Sequence, residues 1–447
     1  MQKPKLTLAG WGNYPKGVAS FSQPEQIRYC RTNEHSIIPR GLGRSYGDAA
    51  MNTDRHVILM SRMNRFLNFD DVTGVLKAEA GVTLADILTV FAPQGWFPPV
   101  TPGTKFVTLG GCVASDVYGK NHHQDGSFGS FVKELELLLP DGTRKRCSGE
   151  INSELFWATI GGLGLTGLIT EVTLQMLPIS SSYMKVQHIK AKNLEAVLQI
   201  LDESKNQEKY SVAWIDCQAK GKRFGRSVVM LGEHASPDEV SAKEPFMIPP
   251  RRKLTLPSRF PSWMINSTTI RAFNQIYYSV QGAKKRPFLL DYDRYFYPSD
   301  AIQGLNRIYG SRGFVQYQFV VPPETAHDSM KAILSELGQT QRGSFLAVLK
   351  RLGSEGQGHL SFPKEGYTLS LDLPIVGNDL FQFLDDLDEI VLKYEGRVYL
   401  AKDARLKRES FKMMYPRYEE WLAIKQQVDP RGIYSSDLSR RLMGGSR

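Results

Sequence analysis

A tyrosine and a lysine with chemical potential lie near the C-terminus, in the sequence Tyr399-Leu400-Ala401-Lys402-Asp403. Such side chains are suited to removing a hydroxyl proton and to stabilising negative charge through hydrogen bonds. Strand alternation places Tyr399 and Ala401 on one face and Lys402 on the other, unless a turn that begins here redirects the lysine. On these residues alone, a solvated surface lysine is the commoner alternative.

Polar side chains also interrupt apolar runs further upstream. Gln318 is flanked by Tyr317 and Phe319 in a stretch too apolar to be exposed on both faces. A buried glutamine is destabilising unless it is hydrogen-bonded, so the pattern indicates a polar partner or a ligand. Lys350, which follows the apolar run 346–349, and Asp372 are placed in a similar way.

Two glycine-rich loops could bind the phosphates of one extended ligand. The first covers residues 40–48, and the second lies within residues 102–139. Glycines leave main-chain N–H groups uncovered, and such groups bind anions. The second loop combines glycines with side-chain donors, namely Gly110, Gly111, Gly119, Gly126, Asn121, His122 and His123. The two loops together favour a large, phosphate-bearing cofactor over ordinary surface turns.

A third glycine cluster, residues 161–167, contains the G-x-G-x-x-G spacing of nucleotide-binding Rossmann loops. A Rossmann loop follows a strand and opens a helix. Here residues 153–160 are predicted to form a helix capped by Ser153, and residues 168–177 alternate like a strand. The order helix, loop, strand therefore argues against a Rossmann site.

These motifs resemble a known family. The RGLGRSYGD loop, the PGT, TLGG, YGKNHH and GSFG motifs, the GGLGLTG loop and the terminal SSDLSRRL block are similar to flavoprotein oxidases of the vanillyl-alcohol-oxidase type. Within them, the likeness is to the decaprenylphosphoryl-β-D-ribose 2-oxidase group, which acts in cell-envelope biosynthesis. The resemblance implies an α+β, two-domain FAD-binding fold of the VAO/PCMH type with an antiparallel-sheet substrate (cap) domain.

The resemblance also implies roles for individual residues. Lys402 and Tyr399 are the expected catalytic pair, with Lys402 orienting a sugar hydroxyl or assisting its proton loss and Tyr399 touching the flavin. The expected substrate-binding residues are Gln316, Gln318, Lys350, Tyr297, Ser370 and Asp372. The expected FAD-binding residues are Arg40, Gly41, Leu42, Gly43, Arg44, Ser45, Tyr46, Gly47, Pro102, Gly103, Thr108, Leu109, Gly110, Gly111, Ala114, Ser115, Tyr118, Gly119, Asn121, His122, Gly126, Ile169 and Tyr399.

Two positions depart from the family pattern. Tyr118 replaces a histidine near the flavin, so non-covalent FAD is expected. Ser370 replaces a cysteine that captures nitro-aromatic inhibitors in the mycobacterial members, so covalent trapping is expected to be lost while oxidation is retained.

The coarse organisation fits this fold. Residues 1–182 alternate short strands with helices and are expected to bind FAD, and residues 397–447 are expected to complete that domain. Residues 183–396 are expected to form the substrate domain. Its predicted strands and helices are residues 210–216, 314–321, 324–337 and 379–393.

The formal charge of +10 raises the question of an anionic partner. No nucleic-acid-binding signature is present. Basic clusters at 249–253 and 282–286 flank an aromatic and apolar segment, which suits a bilayer surface. Membrane docking through residues 246–286 is therefore one hypothesis, and a surface excursion with a few core anchors is the other. No run is long enough to span a membrane and no secretory signal is recognisable, so we expect a cytoplasmic protein, with peripheral contact at the inner membrane face under the docking hypothesis.

Metal chemistry is not expected, because the four cysteines are widely spaced and His122 and His123 lack further ligands of suitable spacing. Cys112 is interpreted as a small packing residue.

The predicted function is FAD-dependent oxidation of a secondary sugar hydroxyl, the 2-hydroxyl of a polyprenyl-phosphoryl-β-D-ribose, to a keto sugar. In the family, an NAD(P)H-dependent short-chain reductase then completes an epimerisation. The alternatives are an oxidase of free sugar alcohols or aldonolactones, and a non-catalytic flavin-bearing protein that binds lipid phosphate. The sequence leaves the electron acceptor open.

Overall fold

The computed structural model describes residues 4–30, 34–240, 244–256, 266–283, 286–340, 342–344, 346–377 and 379–444 of the 447-residue chain. The chain begins with a mixed sheet of order β1-β2-β4-β3, in which β4 pairs in parallel with both β2 and β3. Its strands are β1 (Lys5–Ala9), β2 (Lys16–Ser22), β3 (Ile37–Arg40) and β4 (His56–Leu59). The first glycine loop leaves the end of β3.

A five-stranded antiparallel sheet of order β5-β6-β10-β8-β9 follows. Its strands are β5 (Phe66–Asp70), β6 (Val75–Glu79), β8 (Val132–Leu138), β9 (Arg144–Ser148) and β10 (Leu168–Gln175), while β7 (Trp96–Phe97) pairs with β11 (Leu177–Pro178). The helices of this region are α1 (Leu84–Phe91), α2 (Leu109–Ala114), α3 (His122–Asp125) and α4 (Ser153–Thr159). α1 begins at a capping box in which Thr83 and Asp86 bond each other's backbone N–H groups.

The chain then forms an eight-stranded antiparallel sheet of order β16-β12-β14-β13-β19-β20-β18-β21. Its strands are β12 (Tyr183–Ala191), β13 (Tyr210–Ile215), β14 (Ser227–His234), β16 (Phe288–Asp291), β18 (Phe314–Val321), β19 (Ala347–Leu352), β20 (Gly366–Pro374) and β21 (Arg397–Val398), and β15 (Leu254–Thr255) pairs separately with β17 (Ile302–Gln303).

One face of the eight-stranded sheet is covered by helices. Buried side chains of α5 (Leu194–Glu203), α8 (Ala326–Gln339) and α9 (Leu380–Lys393) share a core with the alternate residues Phe319, Leu349 and Leu371 of the strands. The opposite face of these strands is left to line a cavity. α6 (Ser267–Gln281) contacts β14, and α7 (Tyr292–Phe296) contacts β16 and β12.

The C-terminal helices α10 (Arg408–Met414), α11 (Tyr418–Val428) and α12 (Asp437–Leu442) pack back onto the N-terminal region. The indole nitrogen of Trp421 donates to the Ala158 carbonyl at 2.9 Å. Arg441 binds both Asp48, in the first glycine loop, and Asp403. The first glycine loop is thereby tied to the segment that carries Lys402.

The predicted α+β class with an antiparallel substrate-domain sheet is confirmed, as is the order helix, loop, strand around residues 161–167. Ser153 does not cap α4, because Asn152 occupies the cap position in the left-handed conformation and makes no side-chain cap bond. β10 ends at Gln175, two residues early, because the chain leaves to pair with β7. The division at 182 and 396 stays a prediction; β21 lies just beyond it and pairs with β18.

Candidate active site

A cavity of about 1100 Å³ lies between the glycine loops and the free face of the eight-stranded sheet. Typical pockets for one small molecule measure about 300–1,000 Å³, so this cavity lies at the upper end of that range and suits a large ligand. One wall is made by loops, chiefly residues 40–46, 101–104 and 163–164, and the other by side chains of strands.

The loop wall offers backbone donors. Within the described part of the chain, the N–H groups of residues 41–45 have no hydrogen-bond partner, and all five residues line the cavity. A Cβ at Gly41 would lie 2.3 Å from the Thr108 hydroxyl oxygen, and Gly43 has φ +63°, so this loop cannot carry larger side chains without moving. An array of free N–H groups is what the diphosphate of FAD requires. The residues present therefore fit the cofactor.

Two arginines of the first glycine loop have different roles in this wall. Arg40 is buried and donates to the carbonyls of Ala9 at 2.6 Å and Ala50 at 2.9 Å, which fixes the start of the loop. Arg44 lies over the Trp11 ring at 4.2 Å and lines the cavity. Arg40 thus supports the loop, while Arg44 can present its charge to an anion.

Lys402 lies on a tight turn rather than on a strand. Its N–H donates to the Tyr399 carbonyl at 2.9 Å, and its Nζ stands 3.8 Å above the Tyr46 ring. The pKa of Lys402 is lowered to about 7, chiefly by removal from bulk water; the Asp372 charge opposes this shift and the Lys350 charge adds to it. Near neutral pH, a large fraction of Lys402 is therefore an uncharged amine able to accept a proton.

Asp372 on β20 faces Lys402. Its carboxylate accepts hydrogen bonds from Gln316 at 2.5 Å and from the Tyr309 hydroxyl at 3.1 Å. Burial raises the pKa of Asp372 to about 6, while the Gln316 bond and the Lys402 charge act in the opposite direction. The group is therefore mostly ionised at pH 7 and can accept a bond from a substrate hydroxyl.

Gln318 meets the loop wall. Its amide donates to the Tyr118 hydroxyl and, at 3.4 Å, to Thr368 on β20. Lys350 on β19 lies 4.6 Å above the Tyr118 ring. Burial raises the pKa of the Tyr118 phenol, so it stays protonated. The polar partner expected for Gln318 is therefore present.

Tyr399 is a structural neighbour of this centre. Its hydroxyl donates to the Ser115 carbonyl at 2.8 Å, and its ring stacks on Phe362 at 4.5 Å. Burial raises its pKa well above the usual range. Since the hydroxyl is engaged and protonated, Tyr399 is suited to shape the cofactor wall rather than to transfer a proton.

A second cationic group, Lys120, was missed from the sequence. Its ammonium donates to the Tyr295 carbonyl and lies 3.9 Å above the Tyr295 ring. Burial and the nearby Lys350 charge lower its pKa to about 7, and burial lowers the pKa of Lys350 to about 8. An anion bound beside both lysines would offset their burial and mutual repulsion and favour their charged forms. The signal was its position after Tyr118 in YGKNHH, which the adjacent histidines obscured.

The cavity brings together most of the predicted site residues. It is lined by Lys402 and Tyr399, by Gln316, Gln318, Lys350, Ser370 and Asp372, and by Arg40, Gly41, Leu42, Gly43, Arg44, Ser45, Tyr46, Pro102, Gly103, Thr108, Gly110, Gly111, Ala114, Ser115, Tyr118 and Ile169.

The remaining predicted residues are not among those that line the cavity, and their assignment to the site stays a prediction: Tyr297, Gly47, Leu109, Gly119, Asn121, His122 and Gly126. Tyr297 is fully buried and bonds Thr101 at 2.7 Å. Asn121 donates to the Pro99 carbonyl, and His122 accepts from the Gly353 N–H. Leu109 is a core residue, and the glycines allow close packing or, at Gly126, a positive φ.

Metal and thiol chemistry have no support in the residues that the structure describes. They contain no cluster of three or more metal-ligating side chains. Cys112 is buried, and burial raises its pKa, so the thiol is inert as expected for a packing residue.

The chain is similar to several known proteins. Residues 23–148 match the FAD binding domain family, and residues 374–442 match the D-arabinono-1,4-lactone oxidase family. The decaprenylphosphoryl-β-D-ribose oxidase of Mycolicibacterium smegmatis is 38% identical over 97% of each chain. An uncharacterised Streptomyces coelicolor protein is 32% identical over 81% of this chain and 100% of its own. A D-lactate dehydrogenase of Anaerostipes hadrus is 29% identical over 36% of this chain and 35% of its own.

The first of these matches extends over nearly the whole chain, and the FAD-binding match covers the glycine loops. The chain therefore belongs to the decaprenylphosphoryl-β-D-ribose oxidase family. It is an FAD-dependent oxidoreductase.

Proposed function

We propose that this oxidoreductase oxidises the 2-hydroxyl of a polyprenyl-phosphoryl-β-D-ribose to a ketone, as the first half of an epimerisation. The observation that carries the proposal is the set of groups gathered in one cavity. The near-neutral amine of Lys402 and the hydrogen-bonding side chains of Gln316 and Asp372 share the cavity with two buried lysines, Lys120 and Lys350. A sugar joined to a phosphate offers hydroxyls to the first set of groups and negative charge to the second.

Bound FAD supplies the acceptor for the hydride that leaves the carbinol carbon. The chain supplies the rest of the reaction. Lys402 accepts the hydroxyl proton as the ketone forms, so one proton and one hydride leave the substrate. Asp372 and Gln316 orient the sugar, and Lys120 with Lys350 neutralise the phosphate.

A second candidate is oxidation of a free sugar alcohol or aldonolactone. The match of residues 374–442 to the D-arabinono-1,4-lactone oxidase family favours it. The two buried lysines, Lys120 and Lys350, argue against it, because their lowered pKa values show that their charge is disfavoured without an anion, and a neutral substrate supplies none. A non-catalytic role is disfavoured by the proton-accepting state of Lys402.

The test is anaerobic loss of the visible flavin absorbance during titration with farnesyl-phosphoryl-β-D-ribofuranose, free ribose or xylitol. Bleaching by the lipid-linked sugar alone is the expected result. Bleaching by xylitol or ribose at similar concentrations would indicate an oxidase of free polyols instead. Absence of bleaching by all three compounds would contradict the proposal.

We also propose that the segment 246–286 rests on an anionic membrane surface. None of the helices in the described part of the chain has the length and apolar character to cross a bilayer. α6 nevertheless exposes an apolar stripe at i, i+3 and i+7, consisting of Phe273, Ile276 and Val280, and Arg252 and Lys253 are exposed nearby in the segment. The predicted anchors Phe260, Trp263, Met264 and Ile265, and the basic pair Lys284 and Lys285, lie outside the described residues.

Co-sedimentation with phosphatidylglycerol-containing liposomes tests this docking. Replacing Phe273, Ile276 and Val280 by glutamate is expected to abolish binding at low salt, whereas unchanged binding would contradict it. The proposed location is therefore the inner face of the cell membrane. The keto product would be consumed there by an NAD(P)H-dependent short-chain reductase.

A further inference from the structure

The free face of the eight-stranded sheet changes character along the strand order. On β18 and β20 it carries Gln316, Gln318, Ser370 and Asp372, whereas on β13, β14, β12 and β16 the cavity-lining residues are mostly apolar. The apolar group consists of Val212, Trp214, Met230, Val186, Phe288 and Leu290. The cavity thus has a polar half and an apolar half. We call the apolar half the apolar channel.

The strand register locates the change. Gln318 is paired with Ser370, Ser370 with Val348, and Val348 with Trp214, so these side chains form one continuous row on the same face. The row becomes apolar between Ser370 and Val348. Lys350, on the same face of β19 as Val348, stands at this boundary.

Neighbouring rows continue the channel. Val212 is paired with Met230, and Met230 with His188 of β12. From β19 to β12 the sheet advances three strand spacings, about 14 Å. The face is therefore wide enough for an extended apolar chain that starts at Lys350 and runs across the strands.

α6 covers the channel. The Tyr277 ring lies 4.7 Å from Trp214, and both residues line the cavity. Two polar bonds fix the helix there: Asn274 donates to Asp216 at 2.7 Å in a buried bond, and Arg226 donates to Gln275 at 3.0 Å. The exposed apolar stripe of the same helix borders the outside of the channel.

We propose that the apolar channel binds the first isoprene units of the substrate lipid, in line with the phosphate at Lys120 and Lys350. The proposal rests on the proposed function and adds a binding site for the chain, which leaves the protein beside α6. A free sugar phosphate would leave this apolar surface exposed to water, so binding energy is gained from the chain itself.

The test uses ribofuranosyl phosphates that carry one, two or three isoprene units, below their micelle-forming concentrations, with anaerobic flavin reduction as the readout. KM is expected to fall about tenfold with each added unit, because each adds buried apolar area, while kcat stays constant. Met230→Glu, which places a charge inside the channel, is expected to remove the dependence of KM on chain length. Leu289→Glu makes the same kind of change at an exposed residue of β16 and is the matched control. It should retain the dependence of KM on chain length.

The outcomes separate the two proposals. Flavin reduction with the same KM for every chain length would overturn the channel and leave the proposed function standing. Reduction by none of the compounds would overturn both. If Met230→Glu does not fold, photolabelling of the unmodified protein replaces it, using the three-unit substrate with a diazirine at the far end of its chain. Labelling within β12, β13 or β14 supports the channel. Labelling only in other parts of the chain overturns it.

Discussion

The two walls of the cavity bind their ligands with different parts of the chain. The loop wall uses backbone N–H groups of residues 41–45 and owes its shape to glycine. The sheet wall uses side chains such as Gln316, Lys350 and Asp372, held at fixed spacing by the strand ladder. The loop wall can bind any diphosphate of suitable shape, whereas the sheet wall selects by chemistry. Cofactor binding and substrate turnover should therefore be separable by mutation.

The largest effect is expected in the loop wall. In Gly41→Val, a branched side chain would overlap the Thr108 side chain and displace the loop, so the protein should purify without flavin and without activity. Flavin absorbance relative to protein absorbance measures this. Gly338→Ala is the control, since its Cβ would meet open space. A fully yellow Gly41→Val protein would contradict the role of the loop.

A change in the sheet wall should spare the flavin. Gln318→Leu removes the donor to the Tyr118 hydroxyl, and we expect normal FAD content with a decrease of about ten- to hundredfold in kcat/KM. Gln199→Leu, an exposed glutamine on α5, should change neither quantity. Loss of FAD in Gln318→Leu would show that the two walls do not act independently.

The pH dependence should report the state of Lys402. Its pKa is lowered to about 7, so the proton-accepting amine is scarce below pH 7 and predominant above it. Between pH 6 and pH 8 the rate of flavin reduction at saturating substrate should rise about tenfold. Lys402→Arg, which stays protonated, should lose this rise. A rate that falls with pH would contradict proton uptake by Lys402.

The smallest expected effect concerns whether Tyr118 forms a covalent bond with FAD. Tyr118 is protonated and hydrogen-bonded by Gln318, so it is a poor nucleophile and FAD should bind without a covalent bond. After acid precipitation, the flavin should remain in the supernatant. A yellow pellet would show covalent attachment and contradict the expectation.

The difference between the loop wall and the sheet wall also explains which site residues could be predicted from the sequence. Glycine loops and a glutamine between aromatic residues leave strong local signals, and the structure places Gly41 and Gln318 in the cavity as expected. Tyr297 and His122 are also predicted site residues, and the structure shows their polar atoms bonded to Thr101 and Gly353 instead of facing the cavity. Sequence position gives no direction for such side chains, because tertiary contacts decide which way a loop residue points.

Lys120 shows the converse. A lysine in a polar loop is usually solvated, and its proximity to Lys350 arises from contacts between the loop and the distant strands. The apolar channel also cannot be predicted from the sequence, because the alternation within one strand does not show which neighbouring strand extends its apolar face. The sheet order joins Val348, Trp214 and Met230 only after the chain has folded.

The separation of the two walls is tested most directly by Lys402→Met, measured for FAD content and for anaerobic stopped-flow reduction by the farnesyl-linked substrate. The protein should be as yellow as the unmodified one, because the backbone N–H groups of residues 41–45, which we expect to bind the FAD diphosphate, are unchanged. Reduction should be about 10²- to 10⁴-fold slower, because the proton acceptor is gone. A reduction rate within about tenfold of the unmodified protein would contradict the account.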